Sequence, residues 1–212
     1  MNENDSYIFG LLITDGNLRL TTRNRGRVSL EVNERDEDII DKLVEYVPNS
    51  VKHERTRTTN FSNGKEVTTK IFNNHRKEFR DSLILHGFPT SDKTLSACPP
   101  TGKYSKYDFW RGVIDGDGSI GFITGGIPFV SLVTKSELLK EAYVLFLREE
   151  LGIEKKINRN KRDNVFNITV KLESAVKLAN LLYFNDSMGR SIQPLYLDRK
   201  FNSAKQVILW KR

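Results

Sequence analysis

Two stretches of the chain, residues 7–13 and 109–114, are apolar but for Arg111 and read as helices. After the first, Leu18 and Leu20 alternate with polar neighbours. Past a turn at Asn24, Arg25 and Gly26, Val28, Leu30 and Val32 alternate again. That is a hairpin with one apolar and one polar face. Ile39, Ile40, Leu43, Val44 and Val47 follow at three-to-four spacing and predict a helix over 36–47, stopped by Pro48. A weaker hairpin covers 51–73, turning near Asn63 and Gly64, and a helix over 74–86 ends at Gly87. The same order then returns. Strands over 119–122 and 129–134 flank Gly125 and Gly126. A helix over 136–151 carries the stripe Leu139, Tyr143, Phe146, Leu147 and Leu151, with Ser136 as its N-cap. Another hairpin, 153–160 with 165–171, turns at Asp163 and Asn164, and a helix covers 173–184. Residues 198–212 form an amphipathic tail helix with Phe201, Ala204, Val207 and Ile208 on one face.

Each half therefore reads helix, two strands, helix, two strands, helix. The expected fold is α+β, a tandem duplication of an αββαββα unit. Two antiparallel four-stranded sheets form a saddle around two packed motif helices, related by a pseudo-twofold axis. The repeats span 1–89 and 105–212, and the Pro-, Ser- and Thr-rich stretch 90–104 links them.

The repeat is clearest where it is most awkward. Gly10 to Gly16 recurs as Gly112 to Gly118. A glycine inside a helix costs about 1 kcal/mol relative to alanine, and close approach of another backbone is the usual compensation. Four residues on, Thr14 and Gly116 are also small, so the two motif helices are expected to pack on each other. Asp15 and Asp117 then fall at the helix C-termini, where the dipole disfavours an anion by roughly 0.3–1 kcal/mol. Parallel pairing of the helices also makes the two acids converge. A divalent cation relieves both penalties, and Mg²⁺ suits a site of few carboxylates completed by water and phosphate. A plain Asp-Gly turn explains one copy easily, but it does not explain two copies with the same apolar prefix. Two other motifs fail. The run Gly116 to Gly121 fits a dinucleotide fingerprint, but it follows a helix and opens a strand. A calcium loop starting at Asp115 needs Glu at its twelfth position, where Gly126 stands.

Composition narrows the partners. The 212 residues carry 34 basic and 27 acidic side chains, a formal charge of +7, and 38% of them are hydrophobic. That is enough chain for a real core, and the basic surplus favours a polyanion. The surplus lies entirely in the second half. Cys98 is the single cysteine, which excludes an intrachain disulfide or a cysteine zinc cluster, and His53, His75 and His86 lack ligand spacing. No apolar run nears the roughly 20 residues of a membrane span. The polar, acidic start argues against a secretory signal, so an intracellular setting without a membrane is expected.

On these residues the chain resembles the LAGLIDADG homing endonucleases in their single-chain, two-repeat form. The segment Phe109 to Ile120 matches the motif strongly, while 8–16 departs at Ile13, where an acid is common. His86-Gly87-Phe88-Pro89 with Lys93-Thr94, and Tyr196 to Lys200, also resemble segments of this family. The resemblance implies Mg²⁺-dependent, site-specific cleavage of both strands of duplex DNA, leaving short 3′ overhangs. Mn²⁺ or Ca²⁺ would substitute for binding. It makes Asp15 and Asp117 the metal-binding catalytic carboxylates, with the carbonyls of Thr14 and Gly116 beside them. It makes Lys93 and Lys200 the basic residues of the two sites. Glu34 and Lys135 fall near a polar position that orders water. The polar sheet faces would lie in the major groove. Arg19, Thr21, Arg23, Arg25, Arg27, Ser29 and Glu31 are the candidates from the first repeat. Lys156, Asn158, Arg159, Asn167, Thr169 and Lys171 are those from the second. The uneven charge implies a long non-palindromic target read by a monomer. The alternative is an inactive relative, either an RNA-splicing maturase or a DNA-binding regulator. An intein-embedded nuclease and a plain interaction module fit less well.

Overall fold

The computed structural model describes residues 1–23, 25–58, 64, 66–184 and 193–211. The first repeat runs α1 (Glu3–Thr14), β1 (Gly16–Leu20), β2 (Gly26–Asn33), a short 3-10 turn (Glu34–Asp36), α2 (Glu37–Tyr46), β3 (Ser50–Thr58), β4 (Glu66–Asn74) and α3 (Lys77–Leu85). A four-residue helix α4 (Lys93–Ser96) sits in the stretch expected as linker. The second repeat runs α5 (Lys106–Asp117), β5 (Gly118–Ile123), β6 (Ile127–Thr134), α6 (Glu137–Leu151), β7 (Phe166–Lys171), α7 (Glu173–Tyr183) and α8 (Asp198–Ile208). The turn residues Asn24 and Asn63, and Arg212 at the tail, lie outside the described residues.

The architecture is mixed α+β with two antiparallel sheets. The first has four strands in the order β1-β2-β4-β3, and the second has three, β5-β6-β7. The expected fourth strand of the second sheet is not formed. Residues 153–160 alternate between half-buried and exposed, as a strand would, but outside any ladder. Two backbone bonds, Asn160 N–H to the Val165 carbonyl at 2.7 Å and Asn164 N–H to the Asn160 carbonyl at 2.9 Å, join the end of the segment to the approach of β7. Arg159 explains why: it stacks 4.3 Å over Phe166 and donates to the carbonyls of Asn164 and Lys135, both at 3.1 Å. Those bonds hold the segment by side chain rather than by ladder. The helix expected over 74–86 begins later, because β4 runs through Asn74, whose side chain accepts from Arg76 N–H at 2.9 Å and turns the chain. Ser136 does cap α6, accepting from Leu139 N–H at 3.2 Å.

The inner sheet faces and the helices share one core. Leu18, Val28, Leu30 and Phe72 contribute from the first sheet, and Val130, Leu132, Ile168 and Val170 from the second. At its centre α1 and α5 lie side by side and parallel. A methyl built on Gly10 would overlap the Phe109 carbonyl, and one on Gly112 would overlap that of Tyr7. The expected contact of the motif helices is therefore made backbone to backbone.

Asp115, which stands where the first copy has Ile13, is wholly structural. Its buried carboxylate accepts from Tyr7 Oη at 2.7 Å, Tyr183 Oη at 2.6 Å and Leu197 N–H at 2.8 Å. It thereby ties α5 to α1, α7 and the segment entering α8. That segment crosses back onto the first repeat. Asn4 bonds Gln193 and Leu195, Lys42 bridges Asp38 and Asp198, and Arg199 forks onto Asp36 at 2.8 and 3.0 Å.

Candidate active site at the paired helix ends

Each motif helix ends and a strand begins within one residue. Asp15 is the C-cap of α1 and Gly16 opens β1, while Asp117 closes α5 and Gly118 opens β5. The parallel packing carries both acids to the same end. A methyl on Gly116 would press on Thr14 and come within 3.4 Å of Asp15 Oδ2. Both carboxylates reach solvent, yet protein crowds them. Burial, followed by the charge of Asp15, raises the Asp117 pKa to about 6. Burial also raises Asp15, against the attraction of Lys200 and Lys93, with Asp36 adding to the rise.

The helix ends leave carbonyls without intrahelical partners, and the two expected lysines take them. Lys93, carried by α4, donates to the Thr14 carbonyl and, at 3.4 Å, to that of Leu12. Lys200, carried by α8, spans the carbonyls of Ile114 and Asp115 (2.6 Å each), Gly118 (2.8 Å) and Gly116 (3.1 Å). Burial lowers both ammonium pKa values. The two differ in access: Lys93 is half-buried and Lys200 only 5% exposed. Lys93, from the linker, caps the helix of the first repeat, and Lys200 caps that of its own. The carboxylate acting most strongly on Lys93 is Asp117 of the other repeat, and Lys200 in turn is the leading attraction on Asp15.

Neither Glu34 nor Lys135 figures among the leading charges acting on Asp15 or Asp117. Glu34 is exposed in the 3-10 turn, 3.9 Å from Lys70, and Lys135 is exposed just past β6. The carboxylate from that turn that acts on Asp15 is Asp36, which the sequence did not single out. Arg199 holds its pKa below the usual range, against burial.

The strand register sorts the remaining candidates. Arg19 pairs with Arg27, and Asn17 with Ser29, on the outer face of the first sheet, which Glu31 continues. Thr21, Arg23 and Arg25 lie at the exposed hairpin tip. The same face extends over β3 with His53, Arg55 and Arg57, all exposed and missed as candidates. Their period-two spacing was the available signal. Arg55 and Thr69 hydrogen-bond Glu31, which keeps its pKa low despite partial burial. Asn73 shares this face, and its buried Oδ1 has no hydrogen-bond partner among the described residues. In the second sheet Asn167, Thr169 and Lys171 lie on the outer face of β7, with Thr169 Oγ1 donating to Asn167 Oδ1 at 2.9 Å. Lys156 and Asn158 are exposed on 153–160 and line a groove of about 850 Å³ against α6. Arg159 is committed to Phe166.

Residues 106–188 match the family model described as LAGLIDADG-like domain. The fold is similar to those of several solved structures. One, the homing endonuclease I-WcaI bound to its DNA recognition sequence, aligns at TM-score 0.61 and 16% identity over 94% of this chain and 85% of the other. The meganuclease I-SmaMI, titled as bound to uncleavable DNA, aligns at 0.56 and 13% over 97% and 90%. The N-terminal LAGLIDADG domain of DUF199/WhiA aligns at 0.50 and 10% over 89% and 86%. No curated protein matches the chain in sequence. The protein thus has the LAGLIDADG endonuclease fold, and its second half carries a LAGLIDADG-like domain. Among the described residues no helix is long and apolar enough to cross a membrane.

Proposed function

We propose that this chain is a site-specific DNA endonuclease that hydrolyses both strands of a long, non-palindromic duplex target with divalent metal, leaving short 3′ overhangs. The observation that carries the reading is the convergence of Asp15 and Asp117 at one end of a backbone-to-backbone helix pair. With two acids in one chain, the active species is a monomer of two repeats, 1–89 and 105–212.

Two exposed carboxylates whose charges oppose each other fit Mg²⁺, which takes one or two carboxylates and keeps waters and phosphate oxygens for the rest. No cluster of three or more His, Cys, Asp or Glu occurs among the described residues, so a cage for a bare cation is not the expectation. Asp15 and Asp117 would hold the ion, which supplies Lewis-acid polarisation of the scissile phosphate and a more acidic water. Lys93 and Lys200 already bond the carbonyls of Thr14 and Gly116, and their charges bear on the acids. They add positive potential where the phosphate's negative charge grows.

The decisive experiment incubates the chain with a randomised duplex library and Mg²⁺ and sequences the cut ends. Enrichment of one asymmetric sequence cut on both strands supports the reading, and an uncut library refutes it. One observation favours a second reading, a relative that binds duplexes without cutting: the carbonyls of Thr14 and Gly116 are occupied by lysines. Duplexes retained but never cut would support it. In both readings affinity falls steeply with salt as counterions are released. A flat response between 50 and 200 mM, the range over which about 10³-fold losses are typical for several phosphate contacts, would reject a nucleic-acid partner.

Protonation gives a metal-site test that needs no substrate. With its pKa raised to about 6, folded Asp117 retains a proton that the unfolded chain releases near pH 4, roughly the ordinary Asp value. Stability from this group therefore falls as pH rises through that window, and the cost is complete above it. Without divalent metal, Asp117→Asn is expected to melt above wild type at neutral pH and to lose that advantage near pH 4. Added Mg²⁺ should raise the wild-type Tm more than the variant's. Equal Mg²⁺ responses would remove Asp117 from the metal site.

A further inference from the structure

We infer that the two sheets read half-sites of opposite base composition. The first takes a G·C-rich half through arginines, and the second takes a thymine-rich half through methyl contacts. The inference rests on the proposed function and specifies the substrate of the same surface.

The register shows how different the two outer faces are. The first presents Arg19 opposite Arg27, with Arg55 and Arg57 two strands away on β3. Glu31 holds Arg55 through a hydrogen-bonded ion pair and lies 3.7 Å from Arg57. The second face pairs Ile123 with Ile127, Gly121 with Phe129 and Val133 with Asn167, around a hydroxyl row of Ser119, Ser131 and Thr169. Lys171 is its single charged side chain, opposite Phe129. Ile123 and Val133 are 37% and 38% exposed; the strand of Val133 buries Val130 and Leu132 on its other face, whereas β5 carries a half-buried Ile120 and a 43% exposed Phe122 on its other face. The formal charge of the second half lies elsewhere, largely on segment 154–162 with its half-buried Lys155 and exposed Lys156, Lys161 and Arg162. Charge placed there can grip phosphates but carries no sequence information.

Base edges distinguish these faces. A guanidinium fork matches O6 and N7 of guanine, an asparagine matches N6 and N7 of adenine, and the C5-methyl of thymine takes apolar contact. Asn167 beside Val133 suits the two bases of an A·T pair or step. The apolar positions of this face, Ile123, Ile127, Phe129 and Val133, set against G·C would strip water from the guanine O6 and cytosine N4 groups without replacing their hydrogen bonds. An arginine set against A·T loses the second acceptor of its fork. Each face therefore both selects its own composition and rejects the other's.

The test selects duplexes by binding to the full chain in Ca²⁺, so that affinity is read without cutting, and then replaces thymine by uracil in the winning sequence. One half is expected to be G·C-rich and the other A·T-rich. Loss of each contacted methyl in the A·T-rich half should weaken binding about fourfold, from the transfer value of one methylene-sized group, while uracil in the other half changes nothing. Val133→Ser, an exposed outer-face change, should abolish uracil sensitivity at one or two positions. Arg27→Ala should lose about tenfold in preference for guanine at positions of the opposite half. Two halves of equal composition, or binding indifferent to uracil, overturn this inference and leave the endonuclease proposal standing. Failure to enrich any duplex overturns the endonuclease proposal itself.

Discussion

Asparagine in place of either Asp15 or Asp117 is expected to stop double-strand cleavage while DNA binding stays within about twofold of wild type. On a supercoiled plasmid carrying the selected target, the linear product should fall by about a thousandfold or more, comparable to losing a principal charge-stabilising group at a reacting centre. Either nicked circles accumulate or the plasmid survives intact. The substitution keeps the size and hydrogen-bonding reach of the side chain and removes only its charge. Both acids are solvent-accessible at the helix ends, beyond the backbone contacts at Gly10 and Gly112, and asparagine adds no bulk beside the Thr14–Gly116 contact that adjoins Asp15, so the scaffold should be untouched. Binding need not suffer, because two anions beside a phosphate repel it in the absence of metal. Undiminished linearisation by either variant would reject the assignment of both acids.

Gly112→Ala is expected to destabilise the protein by about 3 kcal/mol or more, at the upper end of overpacking costs and a large share of the roughly 5–15 kcal/mol that holds a domain folded. Helix propensity alone argues the reverse, since alanine gains about 1 kcal/mol over glycine inside a helix. Position decides. The new methyl would overlap the Tyr7 carbonyl and press on Leu11 N. These are backbone atoms in the facing helix and cannot rotate away. The helices must separate, and Phe9 with its neighbours Phe88 (5.5 Å) and Phe109 (6.4 Å) must repack. Urea unfolding measures the loss; a gain in midpoint would show that the seam is looser than described. Gly10→Ala should behave alike, because its methyl meets the Phe109 carbonyl.

The seam and the twin acids were legible in the sequence because glycine in an apolar helix and aspartate at a helix C-terminus are both locally unfavourable. Repeated together, they point to a tertiary cause. The first hairpin was legible through its strict alternation. The fourth strand of the second sheet was misread because alternation reports which residues are exposed, not whether their backbone finds a partner. Segment 153–160 keeps the alternation and loses the ladder to the bonds of Arg159. Asp36 could not be read at all. Its influence on Asp15 follows from a fold that also joins it to Arg199, more than 160 residues along the chain. Arg55 and Arg57 were readable by the rule used for Arg19 and Arg27, but their strand lacks an apolar inner row that would advertise it.

The glycine seam has a consequence for how such a protein can diversify. Because the two helices meet main chain to main chain at Gly10 and Gly112, and only the small Thr14 side chain stands against Gly116 near the tips, little side-chain bulk intervenes to set the spacing of their acidic ends. In the proposed function, that spacing is the stagger between the two scissions. Substitutions on the sheets can then redirect which sequence is bound, while the offset of the breaks stays a fixed dimension of the polypeptide backbone.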